Sequence, residues 1–218
     1  MYNPTTQLLN QNNIRTYTAD KLPSPLIHCS YHPLVIDDIQ SVKTTRENTT
    51  KPHGALWLSP GHNDNGIITT AWEEFCNSHP DWLTLPHSIP LRYQAELYPT
   101  AIVMELTSDT DIAQLWELGA LQFNPQYSDG IIKEIIEIDT EEGFEEEFVE
   151  HTITKDTIAD NPLKYCTINY PLLREMGIGA VRVQEQNFFE NENHLLAEWS
   201  ADSIALLDNN AITHLTEI

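Results

Sequence analysis

Positive charge is scarce in this sequence. Eleven Lys and Arg residues face 33 Asp and Glu residues over 218 positions, which gives a formal net charge of −22. An acidic surface of this kind repels phosphate backbones and anionic lipid head groups, and Lys43, Arg46 and Lys51 are the nearest approach to a basic cluster. The composition therefore argues against binding to a nucleic-acid backbone. The acidity is explained by solubility, by a basic partner, or by mimicry of nucleic acid.

Cysteine and long apolar runs are also scarce. Three widely spaced residues, Cys29, Cys76 and Cys166, do not make a disulfide framework. The sequence has no signal-peptide pattern at its start, and no apolar run approaches the roughly 20 residues of a membrane span. We therefore expect a soluble protein of a reducing cytoplasm with no membrane partner, including the cytoplasm of a host cell if the chain is a phage product or a toxin-like effector.

Several motifs of known chemistry are missing. There is no P-loop, and Gly177-Ile178-Gly179 lacks the third glycine of a dinucleotide-binding turn. His28, Cys29 and His32 lie close together and Cys76 stands three residues before a histidine, but the Cys-x-x-Cys element of a zinc knuckle is absent, so no metal site is predicted. A Cys–His nucleophile pair and a pair of glycosidase carboxylates stay open, because the sequence offers too many combinations.

Apolar and aromatic residues are present in the amounts that a folded domain needs. Apolar residues make up 40% of the chain, with five Trp, eight Tyr and six Phe, which is enough for a core at this length. We expect a polar lead-in over residues 1–24 and a single domain over 25–218, with an acidic insertion at about 131–160.

Strand and helix patterns alternate along the chain and predict an α+β fold. Strands are predicted at 26–30, 54–60, 100–106, 177–183 and 203–207. Helices are predicted after a cap at Thr69 or Thr70, from Asp109 or Thr110 to Gly119, and after Pro171, with a further helix-like spacing over 34–39. Residues 61–66 are expected to form a loop, and the acidic run 131–150 a strand followed by a helix, or an insertion.

Three pieces of this pattern stand in a particular order. His28 lies on the first strand, the segment Gly54-Ala55-Leu56-Trp57-Leu58-Ser59 forms the next, and Asp202 opens a late strand. The order resembles the ADP-ribosyltransferase superfamily, in its diphtheria-toxin-like and poly(ADP-ribose)-polymerase-like branch. The resemblance spans about residues 26–215. It implies an ADP-ribosyltransferase-like split β-sheet core with flanking helices.

The resemblance also implies a chemistry, namely transfer of ADP-ribose from NAD to an unknown acceptor, which is a protein, a nucleic acid or a small molecule. Breaking the nicotinamide–ribose bond needs a rigidly held NAD and stabilisation of positive charge on the ribose. The residues expected to bind NAD are His28, Gly54, Trp57 and Ser59, and those expected to be catalytic are Asp202 and Glu198. A neutral imidazole suits a ribose hydroxyl because it both donates and accepts, and an indole stacks on nicotinamide.

Other interpretations of the same residues stay open. His28, between apolar neighbours, suits a hydrogen-bonded core position, Trp57 suits core packing, and Ser59 and Asp202 suit turns. An Asp stands where the superfamily has Glu, and Trp57 where it commonly has Tyr, so the chain is either active or a pseudoenzyme. The non-enzymatic alternative is an acidic inhibitor or decoy of the anti-defence type that binds a basic partner, which the net charge and the acidic run 134–150 suggest.

Overall fold

The computed structural model of the chain describes residues 9, 13–43, 52–78, 91–140, 143–160, 162–184, 199 and 201–218. The strands are β1 Arg15–Thr18, β2 Leu26–Ser30, β3 Leu56–Asp64, β4 Ile67–Thr70, β5 Leu91–Leu97, β6 Ile102–Leu106, β7 Leu121–Phe123, β8 Ile131–Thr140, β9 Gly143–Thr152, β10 Cys166–Ile168, β11 Ile178–Val183, β12 Ser203–Leu206 and β13 Ile212–Glu217. The helices are α1 Ala71–Ser78, α2 Asp109–Gln114, α3 Lys155–Asp160, α4 Pro162–Tyr165 and α5 Tyr170–Glu175. The predicted α+β class is confirmed. None of the helices described here is both long and apolar enough to cross a membrane.

Nine strands form one mixed sheet. Its order is β1-β6-β11-β12-β3-β2-β5-β13, and β4 pairs with the far end of β3. β6 and β11 run parallel, and their neighbours pair antiparallel. Two smaller sheets stand apart from it, β7 with β10 and β8 with β9.

The core lies on both faces of this sheet. Successive side chains of the central strands point to opposite faces, and both faces are buried. All six residues of β11 are buried. Val181 and Ala205 face a cluster that includes Tyr170 and Leu173 of α5, while Ala180 and Ile204 face a second cluster. Strands covered on both sides read as near-continuous apolar runs, which is why 177–183 and 203–207 were predictable.

All five predicted strands and the first helix are confirmed, with shifts at their ends. α1 begins at a reciprocal cap, in which the Thr70 hydroxyl accepts from the Glu73 backbone N–H at 3.1 Å. The Glu73 carboxylate accepts from the Thr70 backbone N–H at 3.0 Å. The next helix is capped by Ser108 instead of Asp109 or Thr110, and Gly119 ends the following 3-10 turn with φ of 63°.

Two predictions of local structure are wrong. The expected loop at 61–66 is a hairpin, since β3 continues to Asp64 and β4 returns after Asn65 and Gly66, whose φ values are 54° and 87°. Asn-Gly is a strong signal for a two-residue turn with positive φ. The strand was predicted to end at residue 60, before this turn. The expected helix-like spacing at 34–39 gives one 3-10 turn, Ile36–Asp38.

The acidic run also folds differently from the prediction. A strand begins at Ile131 as expected, but a second strand, Gly143–Thr152, replaces the predicted helix and pairs with it. Within the expected lead-in, Arg15–Thr18 forms the edge strand β1, which pairs with β6.

Candidate functional site

The sheet opens between β2 and β3. The two strands pair at Leu26↔Pro60 and Ile27↔Ser59. Further along, β2 pairs with β5 as far as Ser30, whereas β3 pairs with β12. The sheet is therefore held together at one end of this seam and parts at the other.

A side chain bridges the seam where the strands part. Nδ1 of His28 lies 2.7 Å from the carbonyl oxygen of Trp57. A carbonyl oxygen only accepts hydrogen bonds, so Nδ1 carries the hydrogen and donates it. His28 thus takes the place of a ladder hydrogen bond between the two strands.

A cavity of about 330 Å³ lies at this opening. Its lining residues are Ile27, His28, Cys29, Trp57, Leu58, Ser59, Trp72, Trp199 and Ser203. The lining is mostly apolar, with a few polar groups, as is usual for small-molecule sites. Three of the predicted site residues, His28, Trp57 and Ser59, are brought together here.

Aromatic rings dominate the cavity wall. The rings of Trp57 and Trp199 meet edge to face, with centroids 4.8 Å apart and an interplanar angle of 64°. Trp72, from α1, is stacked on Phe75 at 5.6 Å. Edge-to-face and stacked contacts are the favoured arrangements of aromatic pairs, so the wall presents aromatic rings in favourable contact to a flat ligand.

The cavity offers one hydrogen-bond acceptor, and an unsatisfied donor is buried in its wall. Burial lowers the pKa of His28 below its ordinary value, and the bond to Trp57 opposes this only in part. The ring is therefore neutral at pH 7, and its lone pair lies on Nε2. Trp199 is 2% exposed, and its Nε1–H has no acceptor within the described part of the chain.

Ser59 joins three elements around the cavity. Its hydroxyl donates to the backbone oxygen of Asp202 at 2.9 Å and accepts from the backbone N–H of Trp72 at 3.4 Å. These two hydrogen bonds link β3, which carries Ser59, to α1 and to the start of β12. The hydroxyl hydrogen of Ser59 already has an acceptor, so it is not available to a ligand.

The carboxylate of Asp202 is bound to an arginine. Arg182 Nε lies 3.1 Å from Oδ1 and Nη2 lies 2.7 Å from Oδ2, which is a two-point contact. Arg182 also lies 3.6 Å from the buried Glu105. Asp202 is not a lining residue, although the next residue, Ser203, is. Asp202 thus adjoins the cavity through its main chain, and its carboxylate neutralises a cation.

Of the other two predicted site residues, only Gly54 is described. Gly54 is exposed in the turn before β3, where its φ of 76° suits glycine, and it does not line the cavity. Glu198 lies outside the described residues.

Sequence reasoning missed Cys29, Trp72 and Trp199 as cavity residues. Cys29 adjoins His28 on β2, and burial raises the pKa of its thiol to about 11, with Glu73 adding to the shift. The signal that was available for Trp72 is its place in the first turn of α1, the helix that follows the β3–β4 hairpin, whose first strand carries Trp57. Within the described segments, no three His, Cys, Asp or Glu side chains are grouped closely enough to hold a metal ion.

Comparison of the chain with protein-family models, with curated proteins and with solved structures gives no match.

Proposed function

We propose that this chain binds NAD at the β2–β3 cavity and acts as an NAD-dependent ADP-ribosyltransferase-like protein. The observation that supports the proposal is the meeting of His28 with Trp57 and Ser59, which are about 30 residues away in the sequence, around one cavity at the opening of the sheet. The sequence resemblance assigns these three residues to NAD, with Trp57 against the nicotinamide, and we now assign His28 to the nicotinamide end instead of to a ribose hydroxyl.

The cavity suits a flat, cationic, amide-bearing ring. The oxidised nicotinamide ring carries positive charge, which indole faces attract. Its carboxamide has one oxygen acceptor and one NH₂ donor. In the proposed complex the NH₂ donates to Nε2 of His28, and a turn of the buried Trp199 ring brings its Nε1–H to the oxygen. Both cavity groups are then satisfied, and a buried unsatisfied group costs about 1–3 kcal/mol.

The proposed reaction breaks the N-glycosidic bond between nicotinamide and C1′ of the ribose. The bonding pair leaves with nicotinamide, which becomes neutral, and C1′ develops oxocarbenium character. A nucleophilic oxygen or nitrogen of the acceptor, or of water, then bonds to C1′ and loses its proton. The chain contributes by holding the ring and excluding water from it.

A carboxylate is needed to stabilise the positive ribose. Asp202 is a poor candidate because its charge is offset by the two-point contact with Arg182. Glu198 directly precedes the cavity residue Trp199 in the sequence, and we propose it as the carboxylate that acts. A chain in which neither carboxylate acts would bind NAD without turnover.

The test is incubation of the full chain with NAD, measuring nicotinamide release and the NAD-dependent shift in Tm. We expect both for the wild type, loss of both for His28→Ala, and loss of release alone for Glu198→Gln. His32→Ala, an exposed histidine on the same segment, is the matched control and should behave as wild type. The proposal is rejected if the wild type gives neither release nor a shift.

A further inference from the structure

The β8–β9 hairpin presents a second surface of the molecule. Its strands are ten residues each, and among the described strands they pair with each other alone. Ile132, near the base, is buried against Ile153, Ile158 and Tyr165. That packing anchors one face of the hairpin at its base, and the opposite face points away from this cluster.

The opposite face carries an exposed apolar pair. Ile135 and Phe148 stand directly opposite each other in the register, so their side chains lie on the same face. They are 54% and 77% exposed. Adjacent large apolar side chains left in water commonly mark a site of protein–protein contact.

The surroundings of this pair are acidic. Residues 131–152 contain nine Asp and Glu but one Lys. That lysine, Lys133, lies on the same face, 3.5 Å from Asp129 and 3.9 Å from Glu150. Lys164, at the base, lies 3.6 Å from Glu134. The cations near the pair are thus offset, and the net charge around it is negative.

We propose that the Ile135–Phe148 face docks a basic protein segment that places one or more apolar side chains between its Lys and Arg residues. An apolar anchor surrounded by complementary charge is the usual arrangement of an interaction hot spot and its rim. The negative charge attracts such a segment and repels acidic proteins and nucleic acids. The proposal is independent of NAD binding. It identifies a binding surface for the basic partner that the net charge of the chain suggests.

The test uses two synthetic 16-residue peptides of equal charge, one alternating Lys with Leu and the other alternating Lys with Ser. Binding is measured by fluorescence anisotropy at two salt concentrations. We expect the Lys–Leu peptide to bind at least tenfold more tightly than the Lys–Ser peptide, and both to weaken with salt. Phe148→Thr should remove the difference between them. Ile67→Thr, which removes a side chain that is 68% exposed on β4, should leave it unchanged.

Amide NMR and sedimentation locate the bound peptide and establish whether the face is free in solution. Amide shifts caused by the Lys–Leu peptide should concentrate at residues 131–135 and 147–152. Phe148→Thr should have the wild-type amide spectrum outside the hairpin and should keep any NAD-dependent shift in Tm. Equal affinity for the two peptides, or shifts centred on another surface, would overturn the proposal. A wild type that sediments as a dimer, with Phe148→Thr as a monomer, would also overturn it, because the face would then be covered by a second copy.

Discussion

His28 donates from Nδ1 to the carbonyl oxygen of Trp57 across 2.7 Å, at the point where β2 and β3 separate. The His28 side chain therefore joins β2 to β3 where their backbone pairing ends, and it also lines the cavity at this point. The bond fixes the tautomer of the ring, which leaves Nε2 as its acceptor.

Acid should destabilise the protein through His28. Its pKa in the folded state is depressed, and in the unfolded chain it is about 6.5. The unfolded chain takes up the proton on this histidine more readily than the folded protein does. The contribution of His28 to the free energy of unfolding is therefore fully present above about pH 6.5 and is lost as the pH falls through the pKa of the folded state. Unfolding midpoints measured from pH 7.5 to pH 4.5 should show this loss.

The control is His28→Asn, which retains an N–H donor near the Nδ1 position but does not titrate. It should remain folded and should lose the part of the pH dependence that belongs to His28. An NMR titration that gives His28 a pKa above its ordinary value would contradict the interpretation.

Trp199→Phe should separate binding from stability. The change removes the unsatisfied Nε1–H and keeps an aromatic ring, so we expect the free energy of unfolding to change by less than about 1.5 kcal/mol. Loss of one hydrogen bond, worth about 1 kcal/mol, should weaken NAD binding roughly fivefold. Calorimetry with NAD and denaturant unfolding measure the two effects.

Trp116→Phe provides the comparison, since Trp116 packs against Phe123 in a different cluster. It should leave NAD affinity unchanged. Equal losses of affinity in the two variants would show that the indole N–H of Trp199 has no special part.

Arg182→Met should destabilise the fold. The substitution removes both hydrogen bonds to the Asp202 carboxylate, while the buried Glu105 keeps Arg15 at 2.7 Å. Losing hydrogen bonds to a charged group costs about 1.5–3 kcal/mol. Urea unfolding should show the loss. Lys21→Met removes a cation from an exposed pair with Asp20 and should cause no measurable change.

The three thiols should react at different rates. Burial raises the pKa of Cys29 to about 11 and that of Cys166 to about 12, whereas Cys76 is the least buried of the three and its pKa is raised less markedly. Because the thiolate is the reactive form, iodoacetamide at pH 7.5 should label Cys76 first, as read by peptide mass spectrometry. NAD should protect Cys29, which lines the cavity, and should leave Cys76 unaffected.

The sequence was most informative for strands that are buried on both faces of the sheet, because such strands are recognisable as apolar runs. The strands at 178–183 and 203–206 are near-continuous apolar runs, interrupted by Arg182 and preceded by Ser203, and the cap at Thr70 has a local signature. β5 and β13 were missed because each has one polar face and mixed composition, and their pairing depends on residues more than 100 positions apart. Single-strand patterns do not contain that information.

The same limit applies to the site. His28, Trp57 and Ser59 were predictable because all three lie on recognisable strands that the resemblance places in order. The partner of Asp202 was not predictable, since Arg182 is 20 residues away and only the pairing of β11 with β12 brings the two side chains together. The second strand of the acidic hairpin was mistaken for a helix because its glutamates conceal the alternation.

The middle position of β12 has a consequence for biosynthesis. β12 separates β11 from β3 in the sheet order, yet it follows both of them in the chain. Until β12 emerges from the ribosome, the nascent polypeptide holds two half-sheets with open edges, and strand pairings this distant in sequence form slowly. The newly made chain therefore passes through a stage prone to aggregation, in which its strong negative charge helps to keep copies apart.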